Sequence, residues 1–121
     1  MRARHKVIEI AHYRATVHVV VGRDLAAAYA LARRLEPQLA ETAGDDEKGA
    51  CVVVAGSPWM LLPMDASPGV VAHEAVHAAV AVAEHAGLPV AAAADEVLAY
   101  LVEAVVDAVA PWLARLAQSA Q

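Results

Sequence analysis

The sequence contains no phenylalanine and few other aromatic residues, so large rings contribute little to its hydrophobic core. The 121 residues instead include 31 alanines, and 60% of the chain is hydrophobic. This composition excludes a disordered protein. A core of Ala, Val and Leu indicates helices that pack closely together. The length suits one domain over residues 1–121.

Basic residues are also scarce. Nine Lys and Arg stand against 14 Asp and Glu, which gives a net charge of −5. The basic residues concentrate at Met1–Lys6 and around Arg33–Arg34. Because phosphate binding needs a clustered basic face, nucleic acid is excluded as the main partner.

The chain has one cysteine, Cys51, which excludes an internal disulfide framework. The basic N-terminus runs into Ile8, Glu9 and His12 rather than into an apolar segment, so no signal peptide is expected. The most apolar stretch, Val70–Ala94, is interrupted by His, Glu and Pro, so no membrane span is expected. A cytoplasmic protein without a membrane partner fits these features.

The first half of the chain predicts two strands and a helix. Val7–Ile10 and Thr16–Val21 are rich in β-branched residues, and Ala11–Ala15 between them is either a turn or a bulge. Asp24 is a suitable cap for the helix that follows. A proline two residues after Leu35 predicts that this helix ends there.

The second half predicts a hairpin and two helices. Cys51–Ala55 and Trp59–Met64 are strand-like on either side of a Gly-Ser-Pro turn. Ser67-Pro68 predicts the start of a helix that ends near Ala86, and a last helix is expected from Glu96 to Ala110, before Pro111. The fold class is therefore α+β, with a small antiparallel or mixed sheet packed on a helix.

The first of these two helices contains His73-Glu74-Ala75-Val76-His77, an H-E-x-x-H motif. Residues four apart lie on one helix face, so the two imidazoles can bind one Zn²⁺. Glu74 is rotated by about 100° from His73, where its carboxylate can take a proton from water. The alternative is a pair of surface histidines, which the surrounding Val and Ala residues disfavour.

A catalytic zinc keeps three protein ligands, so a further ligand is required. Glu84 lies on the same helix about 10 Å from His77, which is too far for a shared ion. A ligand from the next helix, folded back antiparallel, has the right reach. Glu96 opens that helix, with 18 residues between it and His77. Other acidic and histidine side chains downstream are His85, Asp95, Glu103 and Asp107.

The spacing from His73-Glu74-x-x-His77 to Glu96 resembles the gluzincin branch of zinc metallopeptidases. The string DEVLAY at 95–100 resembles the N-E-x-x-A-Y segment of several such enzymes, with Asp95 where Asn is usual. The resemblance covers about Pro68–Asp107 and extends to small metallopeptidases encoded in bacteriophage and prophage genomes. A phage origin would place the protein in the cytoplasm of a bacterial host.

This resemblance implies a minimal zincin-like domain that hydrolyses peptide bonds in a peptide or protein substrate. It makes His73, His77 and Glu96 the zinc ligands and Glu74 the general base. It also implies that Cys51–Met64 forms part of the cleft, where a strand edge would hold an extended peptide.

Tyr100 and Glu103, which follow Glu96 on the same stripe of the last helix, are further candidates for roles in the site. Tyr100 either donates to an oxyanion or packs against the fold, and Glu103 either supports a ligand imidazole or belongs to a solvated face. Asp107 is expected on that solvated face. The histidines of the N-terminal strands, His12 and His18, are expected to be ordinary structural residues.

A second class of function is a non-catalytic zinc-binding adaptor or assembly protein, in which the metallopeptidase site is degenerate or occluded. In a third alternative the metal has been lost and the fold persists. A homodimer is compatible with this apolar composition, because a small domain can leave apolar patches exposed.

Overall fold

The computed structural model describes residues 1–88 and 97–120 in full and residues 95–96 by their backbone. It contains a four-stranded sheet and three α-helices, which confirms the α+β class. The elements follow in the order β1 (Arg4–Ile10), β2 (Ala15–Gly22), α1 (Leu25–Leu35), β3 (Ala50–Val54), β4 (Ser57–Pro63), α2 (Pro68–His85) and α3 (Asp95–Ser119).

The sheet is mixed, with the strand order β1-β2-β4-β3. The two central strands, β2 and β4, run parallel, and each outer strand is antiparallel to its neighbour. Parallel neighbours need a crossover connection, and here α1 and β3 lie within it. The strand β3 follows the loop after α1 and lies at the edge of the sheet, next to β4.

Helices cover both faces of the sheet. On one face α1 packs through Ala28, Tyr29 and Ala32 against Val20 and Leu61. On the other face α2 and α3 pack against alternate residues of the same strands, including Val19 and Leu62. Both faces of the second half of β2 are buried, and this half contains three consecutive valines, Val19–Val21.

The structure shows what lies between β1 and β2 and corrects the predicted turn between β3 and β4. Between β1 and β2 the chain makes a turn, with a short 3₁₀ helix at Ala11–Tyr13 and Arg14 in the left-handed region. The β3–β4 hairpin is confirmed, but its tight turn is Ala55-Gly56, where both residues have positive φ. Such a pair matches the twist of a hairpin. The predicted turn residues Ser57 and Pro58 instead begin β4.

The predicted caps of α1 and α2 are confirmed. The Asp24 carboxylate accepts a hydrogen bond from the backbone of Ala27 at 2.8 Å. The Ser67 hydroxyl accepts one from Val70 at 3.2 Å, and Pro68 occupies the first turn of α2. At the other end Gly87, just after the helix, adopts positive φ, a conformation typical of a glycine that ends a helix.

The predicted end of the last helix was wrong. Residues Asp95–Ser119 form one helix that contains Pro111 instead of stopping before it. A proline within a helix removes one hydrogen bond and crowds the preceding turn. Packing outweighs this cost, because Leu113 is buried and Trp112 and Leu116 also pack against the core. Local sequence alone could not reveal those contacts.

The helices α2 and α3 run antiparallel. Pro68 and Val71, at the start of α2, line one groove together with Leu113 and Ala117 near the end of α3. Residues Val97–Ser119 of α3 are long and apolar enough to cross a membrane, and an 18-residue window within them has a mean hydropathy of 1.7. One stripe of this helix, which includes Leu101, is buried in the core of the fold.

Candidate metal centre

The H-E-x-x-H motif lies in the middle of α2. One face of this helix is buried against the sheet and α3, and the neighbouring face is open to solvent. His73 and His77 lie on the open face, whereas Glu74 is only 6% exposed. Among the described residues Glu74 is the one charged side chain that is buried. The 100° rotation per residue therefore separates the carboxylate from the imidazoles, as the motif predicts.

The two imidazoles are spaced as a shared ion requires. Their Nε2 atoms lie 3.3 Å apart, and the ring planes make an angle of 73°. A tetrahedral zinc with bonds of ~2.0–2.1 Å holds two nitrogens roughly 3.3–3.4 Å apart. One ligand atom each from His73, Glu74 and His77 lies within 4.8 Å of the others. The residues present therefore fit a divalent metal such as zinc.

The buried carboxylate of Glu74 is covered by the residue that precedes β3. A Cβ atom on Gly49 would lie 2.9 Å from Val70 and 3.3 Å from the Oε2 of Glu74. Glycine therefore allows the chain to pass close to this carboxylate. Burial raises the pKa of Glu74, the two neighbouring imidazoles lower it, and the charge of Glu47 raises it further.

The loop that carries Gly49 is fastened to α1. Tyr29 donates a hydrogen bond to Glu47 at 3.0 Å, and the other carboxylate oxygen of Glu47 accepts one from the backbone of Gly44. Burial, with the hydrogen bond to Glu47, raises the pKa of Tyr29 to about 12. Arg33 also donates to the carbonyl of Glu41 at 3.0 Å. These contacts hold in place the loop that faces α2 across the site.

An open cavity of about 380 Å³ adjoins the motif. Its lining includes His73 and Glu74 from the motif, Gly69 from the first turn of α2, and Lys48 and Gly49 from the loop. The cavity gives solvent and small groups access to the Glu74 carboxylate. An extended chain placed there would lie beside the Glu74 carboxylate and the His73 imidazole.

The third predicted ligand, Glu96, lies in the first turn of α3, and its side chain lies outside the described residues. Val71 and Leu113 line a common groove, so the antiparallel register sets the Glu96 backbone about 16 Å past His77 along the helix pair. The same register brings Glu103 and Asp107 nearer to the level of the histidines than Glu96.

The other predicted residues of α3 do not join the cluster. Tyr100 is 55% exposed, and Glu103 and Asp107 are also exposed. Neither Tyr100 nor Glu103 lines the cavity beside Glu74. The solvated face expected for Asp107 is confirmed. Asp95 begins α3, but its side chain lies outside the described residues.

Comparisons of the chain with protein-family models, with curated proteins and with solved structures gave no match. The chemistry of the site therefore has to be inferred from its own residues.

Sequence patterns did not reveal a second pair of histidines. His5 of β1 and His18 of β2 have ring nitrogens 3.0 Å apart, and their planes differ by 9°. Both rings stack on the buried Trp59 of β4, at centroid distances of 5.4 and 4.0 Å. Rings this parallel and nitrogens this close form an N–H···N hydrogen bond. Together with Trp59 the pair links β1, β2 and β4 through their side chains. Strand propensity could not predict these contacts.

This pair gives the fold a pH dependence. Burial lowers the pKa of His5 below its ordinary 6.5, and burial together with His5 lowers that of His18, while Glu36 at the end of α1 raises it. As the pH falls, these histidines therefore bind protons in the unfolded chain before they do so in the folded protein. Below about pH 6.5 the pair lowers the free energy of unfolding, and well above that pH it has no effect on it.

We expect the midpoint of thermal unfolding to fall by a few degrees as the pH is lowered from about 7.5 to about 5. In the double variant His5→Gln/His18→Gln this part of the pH dependence should disappear. His12→Gln, which changes an exposed histidine of the 3₁₀ helix, should behave as the parent does. Equal slopes for the parent and the double variant would contradict the assignment.

Proposed function

We propose that the protein is a zinc-dependent peptidase in which His73 and His77 bind the metal and Glu74 is the general base. The observation that carries the proposal is the pair of Nε2 atoms 3.3 Å apart with a buried carboxylate on the adjoining face. Glu96 is proposed as the third ligand on its spacing from His77. The roles of Tyr100 as an oxyanion donor and of Glu103 as a support for a ligand imidazole stay predictions, and the proposal does not depend on them, since both side chains are exposed and neither lines the cavity.

Each residue of the motif has a separate task in hydrolysis. When bound, zinc supplies Lewis acidity toward water and toward the scissile carbonyl. Glu74 accepts the proton of the attacking water at a carboxylate oxygen and delivers it to the leaving amine. Burial beneath Gly49 raises the pKa of this carboxylate, which makes it a stronger base than an exposed glutamate.

The substrate we propose is an extended peptide or protein segment. The strand β3 lies at the edge of the sheet and pairs with β4 on one side, so its other edge can form main-chain hydrogen bonds. The exposed imidazoles and the open cavity favour hydrolysis over an adaptor with an occluded site. We place the activity in the cytoplasm, without a nucleic-acid or membrane partner; a homodimer remains compatible with this proposal.

The first experiment is elemental analysis of the purified protein, followed by hydrolysis of a quenched peptide library. We expect about one zinc per chain, cleavage of the library, loss of cleavage with a chelator and recovery with added zinc. A protein that binds zinc tightly but cleaves no peptide would support the adaptor alternative. A protein that binds no metal would contradict both.

A further inference from the structure

A second cavity lies along α2 at the other end of β3. It measures about 350 Å³, and its lining includes Val53 and Gly56 from the hairpin and Glu84 and His85 from the last turn of α2. The turn residue Gly56 packs directly against the His85 ring. Because Gly49 meets the start of α2 and Gly56 meets its end, β3 and α2 run side by side in the same direction.

We call the surface between the two cavities, along α2 and β3, the channel. The residues of α2 that line them recur at helical spacing and form one stripe: Val70, His73 and Glu74 at one end, and Ala81, Glu84 and His85 at the other. His77 lies between the two ends. The distance from Val70 to Glu84 along the helix is roughly 20 Å. This is the length of about six extended residues.

Each end of the channel has one exposed Lys or Glu side chain, and these two side chains are opposite in charge; the buried Glu74 also lines the first cavity, and His85 lines the second. Lys48 lines the cavity beside Glu74, and Glu84 lines the far cavity. Both side chains are exposed, and the strand between them is apolar, with Val53 52% exposed. An extended peptide in this channel would therefore meet a positive group at one end, a negative group at the other and apolar contacts between them.

We infer that the channel selects extended peptides by charge polarity, with a basic residue bound near Glu84 and an acidic residue near Lys48. This inference rests on the proposed function, since it names the substrate class of the same site. Antiparallel pairing with β3 is the more stable arrangement. It places the basic residue toward the N-terminus of the peptide and the acidic residue about six positions later.

The test uses two blocked peptides of identical composition. One has Arg toward its N-terminus and Glu six residues later, and the other has these two residues exchanged. Binding is measured by fluorescence anisotropy on the zinc-loaded Glu74→Gln protein, which leaves the peptides intact, and kcat/KM is measured on the parent protein. We expect about tenfold preference for the first peptide, since each of the two exposed ion pairs contributes up to about fivefold. High salt should reduce the preference.

The double charge reversal Lys48→Glu/Glu84→Lys should exchange the preference between the peptides. The matched control is Arg4→Glu/Glu9→Lys on β1, at the opposite edge of the sheet, which should leave it unchanged. Equal binding of both peptides, binding of neither, or a preference that survives the reversal would overturn the inference. Selective binding without cleavage would instead overturn the proposed peptidase activity.

Discussion

The variant Glu74→Gln is expected to lose peptide hydrolysis by about 10²–10⁴-fold while it retains zinc. Glutamine has nearly the shape of glutamate but cannot accept a proton at neutral pH. Because Glu74 is buried beneath Gly49, the amide would occupy the same space, and the fold should be maintained. The measurements are zinc content, the midpoint of thermal unfolding, and the kcat for a peptide cleaved by the parent protein.

The matched control is Glu9→Gln, which makes the same chemical change at an exposed position of β1. It should leave hydrolysis and zinc binding unchanged. Full activity in Glu74→Gln would show that another group accepts the proton, and the proposed mechanism would be wrong. A loss of activity accompanied by a loss of zinc would instead show that this carboxylate holds the metal.

Much of the fold could be predicted from local chemistry. Asp24 and Ser67 are suited to capping by their side chains alone, and the structure confirms both caps. Local reasoning failed where distant contacts decide the outcome. Pro111 remains within α3 because Leu113 is buried against elements far away in the chain. The exact hairpin turn also depends on packing, since Gly56 lies against the His85 ring.

Some features of the candidate site could also be predicted from the sequence, and others could not. The spacing of His73 and His77 within one helix fixes their relative positions, so the motif could be placed from the sequence. The contact between Gly49 and Glu74 joins a loop to a helix and gave no signal in the sequence. The same holds for His5 and His18, which meet only because β1 pairs with β2.

The proposed metal ligands can be tested in two steps. The first removes a histidine of the motif, and the second removes an acidic residue of α3. His77→Ala is expected to reduce zinc affinity by more than about 100-fold, because groups that merely support a ligand already contribute about 10–100-fold. His12→Ala, at an exposed position of the 3₁₀ helix, is the control and should bind zinc as the parent protein does. Zinc affinity is measured by competition with a chromogenic chelator. Unchanged affinity in His77→Ala would contradict the site itself.

The acidic ligand is tested by Glu96→Ala beside Glu103→Ala. The gluzincin spacing favours Glu96, whose loss should reduce zinc affinity at least about tenfold, with little change in Glu103→Ala. The register of α2 against α3 makes this a strict test, because it brings Glu103 closer to the level of the histidines than the backbone of Glu96. The reverse result would assign the third ligand to Glu103 and refute the gluzincin arrangement. The histidine pair and the role of Glu74 would still stand, since neither depends on which residue of α3 reaches the metal.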